Sequence, residues 1–505
     1  MLTTNPPDTL YNVTQIRELD RLAIEHYRIA GFDLMARAAQ AAYRVLKMQW
    51  PAAQSIMVVC GTGNNGADGY LLASLAREDG CQVTLIEAGD AAGSGSDASR
   101  ARQQWLDKPD HTLTLAEGID ALNEADVIVD ALLGSGLQRD VSGDWLHLIA
   151  AINASPVPVL ALDIPSGLNA DTGTVMGVAI EAHSTVSFIA AKTGQYTGLG
   201  PNYVGKLFFD DLDVPAELYT QVKSECLVLN EQRLATCLPA RRPVCHKGQF
   251  GHVLIVGGDV GMAGAARLAA EAAARAGAGL VSVATRQQHA AMMNMSRAEL
   301  MSHGVENKDE LLPLLDKASV VVIGPGLGQT SWAREMLETI LATQLALVVD
   351  ADALNLIAGQ SLKRGRWILT PHVGEAARLL SNSHDHVQQD RYAAVKAISE
   401  QYHCVAVLKG AGSLIHTVDE SEVYLCRHGN PGMATAGMGD VLSGVIAGLL
   451  AQGLSFAEAA RMGVLAHALA ADNAAKAGQR GMLASDLFEH LRHAMNPQGV
   501  AEGGL

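Results

Sequence analysis

Twice along this chain, short runs of aliphatic and β-branched residues alternate with helical stretches, and each series carries glycine-rich turns at the ends of its runs. The first series comprises SIMVVC (55–60), QVTLI (82–86), ADVIVDAL (125–132), PVLALDI (158–164) and HSTVSFI (183–189). Strands that are apolar throughout and separated by helices belong to parallel sheets covered on both faces. A second series restarts at FGHVLIVG (250–257) and runs through LVSVA (280–284), ASVVVIG (318–324), LALVVD (345–350), RWILT (366–370) and CVAVLKG (404–410), and the two series share no motif. Between them, residues 214–247 hold three prolines and the basic stretch Pro239-Ala-Arg-Arg-Pro243, so a boundary is expected near 218–228, with one α/β domain over 1–218 and another over 228–505. At 505 residues the chain exceeds what one core organises, and 49% hydrophobic against 18% charged residues is enough apolar material for two. Ahead of the first series, residues 14–49 read as two helices with apolar positions at Ile16, Leu19 and Ala23, then at Leu34, Ala38, Ala41 and Val45.

A formal charge of −16 with no local cluster of Lys and Arg argues against a nucleic-acid or anionic-lipid partner. Phosphate-bearing ligands would then be held by backbone amides, helix N-termini and a few cations. Residues 1–14 lack the features of a signal peptide and no apolar run reaches membrane-spanning length, so a cytoplasmic protein is expected. Seven cysteines form no Cys-x-x-Cys pair and read as reduced thiols; His384 and His386 lie in a polar stretch and read as surface residues rather than ligands.

In the first half, Gly61-Thr-Gly-Asn-Asn-Gly66 follows a strand and opens a helix, with Glu87 about 20 residues on, the outline of a dinucleotide fingerprint. The run continues as Ala67-Asp68-Gly69, however, putting polar residues where such a helix needs small apolar ones, so Asn64, Asn65 and Asp68 read as groups aimed at a ligand; the plainer alternative is a capped turn. Three more segments end strands: Asp130–Asp140, Asp163–Asn169 and Ala191-Lys-Thr-Gly194. Singly, Asp130 or Asp163 would serve equally well as a helix cap. Two carboxylates, Lys192 and two glycine-rich loops at one sheet edge favour a catalytic site.

In the second half, Asn430-Pro-Gly-Met-Ala-Thr-Ala-Gly-Met-Gly-Asp440 runs straight into VLSGVIAGLL. A helix starting at Gly439-Asp440 offers free N–H groups to a phosphate and a carboxylate to an incoming hydroxyl, which suits phosphoryl transfer without a Walker A motif. Leu408–Ser413, Gly324–Gly328, Asp350–Asn355 and Thr370–Glu375 also follow β-rich runs; the plainer alternatives are a glycine-rich turn capped by Asp440, Asp350 and Asp352 as caps of the next helix, and His372 as a surface or capped histidine.

NNGADG, DALLGSGLQRD, LDIPSGLNADTG and FIAAKTG resemble the NAD(P)H-hydrate epimerase family over residues 11–215. The resemblance implies a Rossmann-like three-layer domain with Asp163 and Lys192 as catalytic pair and potassium held by Asn65, Asp130 and Ser166. It further implies substrate contacts from Asn64, Asn65, Gly66, Ala67, Asp68 and Asp163, with the loop Gly134, Ser135, Gly136, Leu137, Gln138, Arg139 and Asp140 on the substrate's phosphates. KGQFGH (247–252), MAGAA (262–266), TPHVGEAARL and the 430–440 segment resemble the ribokinase-like fold and, more narrowly, the ADP/ATP-dependent NAD(P)H-hydrate dehydratase family over about 225–501. That resemblance implies nucleotide contacts from Lys409, Gly410, Ala411, Gly412, Ser413 and Gly439. It implies hydrate contacts from Ala263, Gly326, His372 and Asp440, with Asp440 catalytic and magnesium on the phosphates. Together the two imply a bifunctional, oligomeric repair enzyme acting on hydrated NADH and NADPH with ADP, or alternatively ATP, as donor. A ribokinase-like kinase of a small alcohol, or a non-catalytic N-terminal binding module, are the rival readings.

Overall fold

The computed structural model describes residues 2–4, 7–89, 96–108, 111–295 and 297–497. The chain forms two compact units, Met1–Cys226 and Leu227–Leu505.

The first unit contains strands β1 (Thr9–Tyr11), β2 (Ser55–Cys60), β3 (Gln82–Glu87), β4 (His111–Leu113), β5 (Val127–Ala131), β6 (Val159–Leu162), β7 (Ser184–Phe188), β8 (Ala191–Lys192) and β9 (Lys206–Asp210). Seven of them make a wholly parallel sheet in the order β4-β3-β2-β5-β6-β7-β9. The alternation of side chains along a strand sends Ile56, Val58 and Cys60 to one core, shared with helices Val13–Glu25, Gly31–Gln49 and Asn64–Glu78, while Met57 and Val59 meet Leu148, Ile149 and Ile152 of helix Asp144–Ala154 on the other face. Each such side chain gains roughly 1.5–3 kcal/mol on leaving water. The chain runs outward from β2 in one direction and from β5 in the other, so loops following these two strands part and leave a crevice between them.

Helix Val13–Glu25 closes one side of that crevice. Asn12 caps it reciprocally with Gln15: the Gln15 N–H donates to Asn12 Oδ1 (2.9 Å) and the Asn12 N–H to Gln15 Oε1 (3.0 Å). Its apolar stripe of Ile16, Leu19 and Ala23 is buried in the core, which leaves Arg17, Asp20 and Ile24 along the crevice.

A short strand, β10 (Cys226–Val228), lies where the chain passes from one unit to the next. The second unit contains β11 (His252–Val256), β12 (Leu280–Thr285), β13 (Met301–Gly304), β14 (Val320–Ile323), β15 (Ala346–Val349), β16 (Trp367–Leu369), β17 (Val405–Leu408), β18 (Ser413–Thr417) and β19 (Val423–Cys426). They lie side by side as β13-β12-β11-β14-β15-β16-β17-β18-β19, parallel up to β17 and antiparallel thereafter. One face packs against helices Ala263–Ala276, Met438–Ala451, Phe456–Ala474 and Leu487–Ala494.

Two of these helices touch through their backbones. A Cβ on Gly444 would stand 2.0 Å from Ala269 O, and one on Gly448 2.7 Å from Ala273 O, so only glycine fits at either position. A step of four on one helix matches a step of four on the other, which makes Ala263–Ala276 and Met438–Ala451 parallel and brings their N-termini together.

All seven cysteines are free thiols. Among the described residues no helix is long and apolar enough to cross a membrane.

Candidate active sites

The crevice of the first unit is a cavity of about 1080 Å³. Thr62–Asn65 and Asp68 line it from the turn and helix after β2, Leu132–Val141 from the loop after β5, Asp163 from the end of β6, and Arg17 and Asp20 from helix Val13–Glu25. The sheet topology thus gathers the sequence-derived residues Asn64, Asn65, Asp68, Asp163 and 134–140 around one space. Gly66 and Ala67 are buried behind them in the first turns of helix Asn64–Glu78. A Cβ on Gly66 would lie 2.0 Å from Gly61 O, so its bareness serves turn packing.

Asp163 has φ +64°, a left-handed conformation that a side-chain-bearing residue adopts at a cost, of order 1–3 kcal/mol in general. Its neighbours fix it there. Lys192 Nζ forms an ion pair with Asp163 Oδ1, and Gln195 Nε2 donates to the Asp163 carbonyl (2.9 Å) while Gln195 Oε1 accepts from Lys192 N–H (3.0 Å). Lys192 is fully buried and also donates to Ser187 Oγ (2.9 Å) and Phe188 O (3.2 Å). Such a pair holds a proton at a fixed point facing the cavity.

Two further carboxyl groups share the space. Burial, then the Asp163 charge, pushes Asp20 up to about 6, against the pull of Lys192. Burial, followed by Asp163 and Asp20, holds Asp68 well above the usual carboxylate range. Arg17 and Asp20 escape sequence reasoning because they occupy what reads as the ordinary polar side of an amphipathic helix.

Behind the cavity, Asp130 is buried and accepts from Ser166 N–H (2.8 Å), Ser166 Oγ (2.6 Å) and Leu132 N–H (3.2 Å). Burial raises it to about 6 despite these bonds. Asn65 donates through Nδ2 to Leu133 O (3.1 Å), and its buried Oδ1 has no partner among the described residues. A lone buried acceptor and a buried carboxyl near neutrality, all-oxygen donors, suit a large hard cation.

Glu87 is not available as a ribose ligand. Arg102 Nε donates to it at 2.6 Å and Tyr70 OH at 2.6 Å, and the space beside it amounts to about 20 Å³. The fingerprint-like turn therefore lacks the acidic half of a dinucleotide site.

In the second unit the helix that carries Asp440 starts at Met438, with Gly437 in left-handed conformation (φ +91°) as a cap that supplies no side-chain bond. The first-turn N–H groups there are free of any side-chain cap. Lys409, at the end of β17, donates to Asp350 Oδ1 (2.7 Å) and lies 3.8 Å from Glu375 Oε2. Asp350 in turn accepts from Ser443 Oγ, whose hydroxyl oxygen also lies 3.0 Å from Gly439 O. A Cβ on Gly439 would come to 3.2 Å from Lys409 Nζ, so glycine lets the ammonium stand against the helix tip. Burial lowers the Lys409 pKa, but Asp350 and Glu375 more than offset it and the net shift is upward. Burial, then Asp350, raises Asp440 to about 7 against the pull of Lys409.

The capping alternatives divide. Asp350 precedes helix Ala351–Ile357 but makes no cap bond; its carboxyl serves Lys409 and Ser443. Asp352 accepts from Gly328 N–H (2.8 Å), which ties down the loop after β14. His372 does cap helix Val373–Leu379: Nδ1 accepts from Gly374 N–H (3.0 Å), leaving the ring proton on Nε2, 3.4 Å from Glu375 Oε1. Burial, then Lys409 and Arg378, holds this imidazole below its ordinary pKa. Ala263 opens the parallel helix, and a Cβ on Gly326 would lie 2.5 Å from Met262 O, so these two residues meet at the parting of the loops after β11 and β14. Residues 409–413 form the turn between β17 and β18, where Ser413 Oγ donates to Gly410 O (3.0 Å). Ala411 and Gly412 are exposed to partly exposed at its tip.

Comparison with known proteins bears on both units. Residues 253–493 match the family described as NAD(P)H-hydrate dehydratase, and residues 31–194 the family described as YjeF-related protein N-terminus. The bifunctional NAD(P)H-hydrate repair enzyme Nnr of Coxiella burnetii is 51% identical over 490 residues, covering 97% of this chain and 99% of that protein. The enzyme of the same name from Escherichia coli K12 is 42% identical, covering 97% and 95%. A ribokinase-like superfamily protein of Enterococcus faecalis V583 superposes with a TM-score of 0.50 at 29% identity, over 54% of this chain and 96% of that one. With that extent of identity along both units, the chain belongs to the family of bifunctional NAD(P)H-hydrate repair enzymes.

Proposed function

We propose that the first unit interconverts the R and S hydrates of NADH and NADPH, and that the second dehydrates the S hydrate to the intact cofactor with ADP as phosphoryl donor, yielding AMP and phosphate. The observation that carries this reading is Asp440, a carboxyl raised to about 7 at an uncapped helix start beside Lys409.

In the first unit the proton held between Lys192 and Asp163 passes to the C6 hydroxyl, which departs as water while the ring nitrogen supplies the electron pair; water then returns to C6. Loop 134–140, with Arg139, holds the substrate's phosphates, and Asn64–Asp68 supply further substrate contacts. Asn65, Asp130 and Ser166 would hold potassium, which when bound neutralises the buried carboxylate of Asp130 and gives the unpartnered Asn65 oxygen a ligand.

In the second unit Asp440 takes the proton of the C6 hydroxyl as its oxygen attacks the terminal phosphoryl group of the nucleotide. A poor leaving group becomes phosphate, which departs as the nicotinamide ring re-forms. Lys409, Gly439 and the 410–413 turn cradle the nucleotide phosphates, while Ala263, Gly326 and His372 bound the hydrate. Magnesium, when present, would neutralise charge on the transferring group.

The test is an assay with resolved R and S hydrates, with ADP and with ATP, in the full chain. S hydrate plus ADP should recover NADH absorbance directly, and R hydrate only after epimerisation. A stable phosphorylated hydrate with no NADH regained would make the second unit a kinase instead.

A further inference from the structure

Inverting C6 makes a demand that the Asp163–Lys192 pair alone does not meet. The departing hydroxyl needs a proton on one face of the ring, and the returning water must lose one on the other. The cavity holds a second candidate for that work. Asp20 lines the same space and is half-buried, and its carboxyl makes no hydrogen bond among the described residues. It arrives from helix Val13–Glu25, whereas Asp163 arrives from the end of β6, so the two carboxyls approach a bound ring from different elements. They sense each other electrostatically. Asp68 faces them from helix Asn64–Glu78, Lys192 from β8, and Arg17 from Asp20's own helix. A value near 6 leaves Asp20 able both to take and to give a proton close to neutral pH.

We propose that Asp20 is the second proton carrier of epimerisation, serving the face of the nicotinamide ring opposite that served by Asp163 and Lys192. This rests on the epimerase reading of the first unit. The proton shared by Lys192 and Asp163 goes to the C6 oxygen, the C6–O bond breaks, water leaves, and the ring nitrogen's pair forms a C=N bond to give a cation. Water on the other face forms a new C6–O bond, the pair returns to nitrogen, and the water's proton goes to the Asp20 carboxylate. The opposite inversion runs the same steps with the roles exchanged. Nothing is oxidised or reduced, and exchange with solvent restores both carboxyl groups.

Labelled water separates the two faces. In H₂¹⁸O with pure R or S hydrate, corrected for the uncatalysed background, the wild-type chain should incorporate label and invert. For the epimer whose hydroxyl faces Asp163, Asp20→Asn should invert about 10²-fold more slowly or worse while label still enters with retention, so that the ratio of inversion to exchange collapses, whereas for the other epimer both should fall together; Asp20→Glu should restore the first ratio in part. Equal loss of both processes in Asp20→Asn for both epimers, or an unchanged ratio for both, would overturn the proposal. Asp163→Asn should abolish both for the epimer whose hydroxyl faces Asp163, and inversion alone for the other. If it leaves both at the wild-type rate, the epimerase reading itself fails, whatever Asp20 does.

Discussion

Asp440 shows how one carboxyl is made into a base for neutral pH. Burial and the neighbouring Asp350 push its pKa up, Lys409 pulls it down, and the balance stands at about 7. The working form is the deprotonated one, so kcat/KM for dehydration should rise with pH, with a midpoint near 7 and a plateau above. Asp350→Asn removes a negative neighbour and should move that midpoint to lower pH, while Asp440→Asn should slow dehydration by about 10²–10⁴-fold with epimer interconversion unchanged; a pH series with S hydrate and ADP reads all three. Asp440 is legible in sequence because it stands with Gly437 and Gly439 in a glycine-rich run that opens a helix, although a simple capped turn would read the same way. Asp20 is not. With Ile16, Leu19 and Ala23 it completes an ordinary amphipathic pattern, and only the fold reveals that its side of the helix borders a cavity.

Elements differ in legibility for a physical reason. The strands that lie inside the sheets announce themselves as apolar runs because both their faces are covered, as β2, β5, β14 and β15 show. β4, β9 and β13 do not, and all three are edge strands with exposed or half-exposed positions. The β18–β19 hairpin likewise lies beyond the parallel alternation. Contact between helices Ala263–Ala276 and Met438–Ala451 was equally hidden, since glycine in VLSGVIAGLL reads as mere permissiveness. Gly444→Ala should put a methyl group 2.0 Å from a backbone oxygen and force the helices apart, at about 1–3 kcal/mol. Thermal denaturation should show a lower melting temperature, and dehydration should weaken with it because the displaced helix carries Asp440.

On the scale of the whole molecule, two chemistries on one chain act in series on a substrate that exists as two stereoisomers. Given equal amounts of R and S hydrate with ADP, the wild-type chain should return all of it to the intact cofactor. Asp163→Asn should return the S half at the normal rate and then slow to spontaneous epimerisation, a biphasic course visible in NADH absorbance. The parallel contact at Gly444 and Gly448 carries one more consequence. Helices laid alongside in the same direction set like poles against each other, roughly half a positive charge at each N-terminal end. Asp440, in the first turn of one of them, offsets part of that repulsion; a polyphosphate between the two ends turns the remainder into attraction. ADP alone, without any hydrate, should therefore raise the melting temperature, by the equivalent of about 2.7 kcal/mol at a hundredfold excess over its dissociation constant, where adenosine should not. Heat tolerance in this enzyme becomes a gauge of the nucleotide around it.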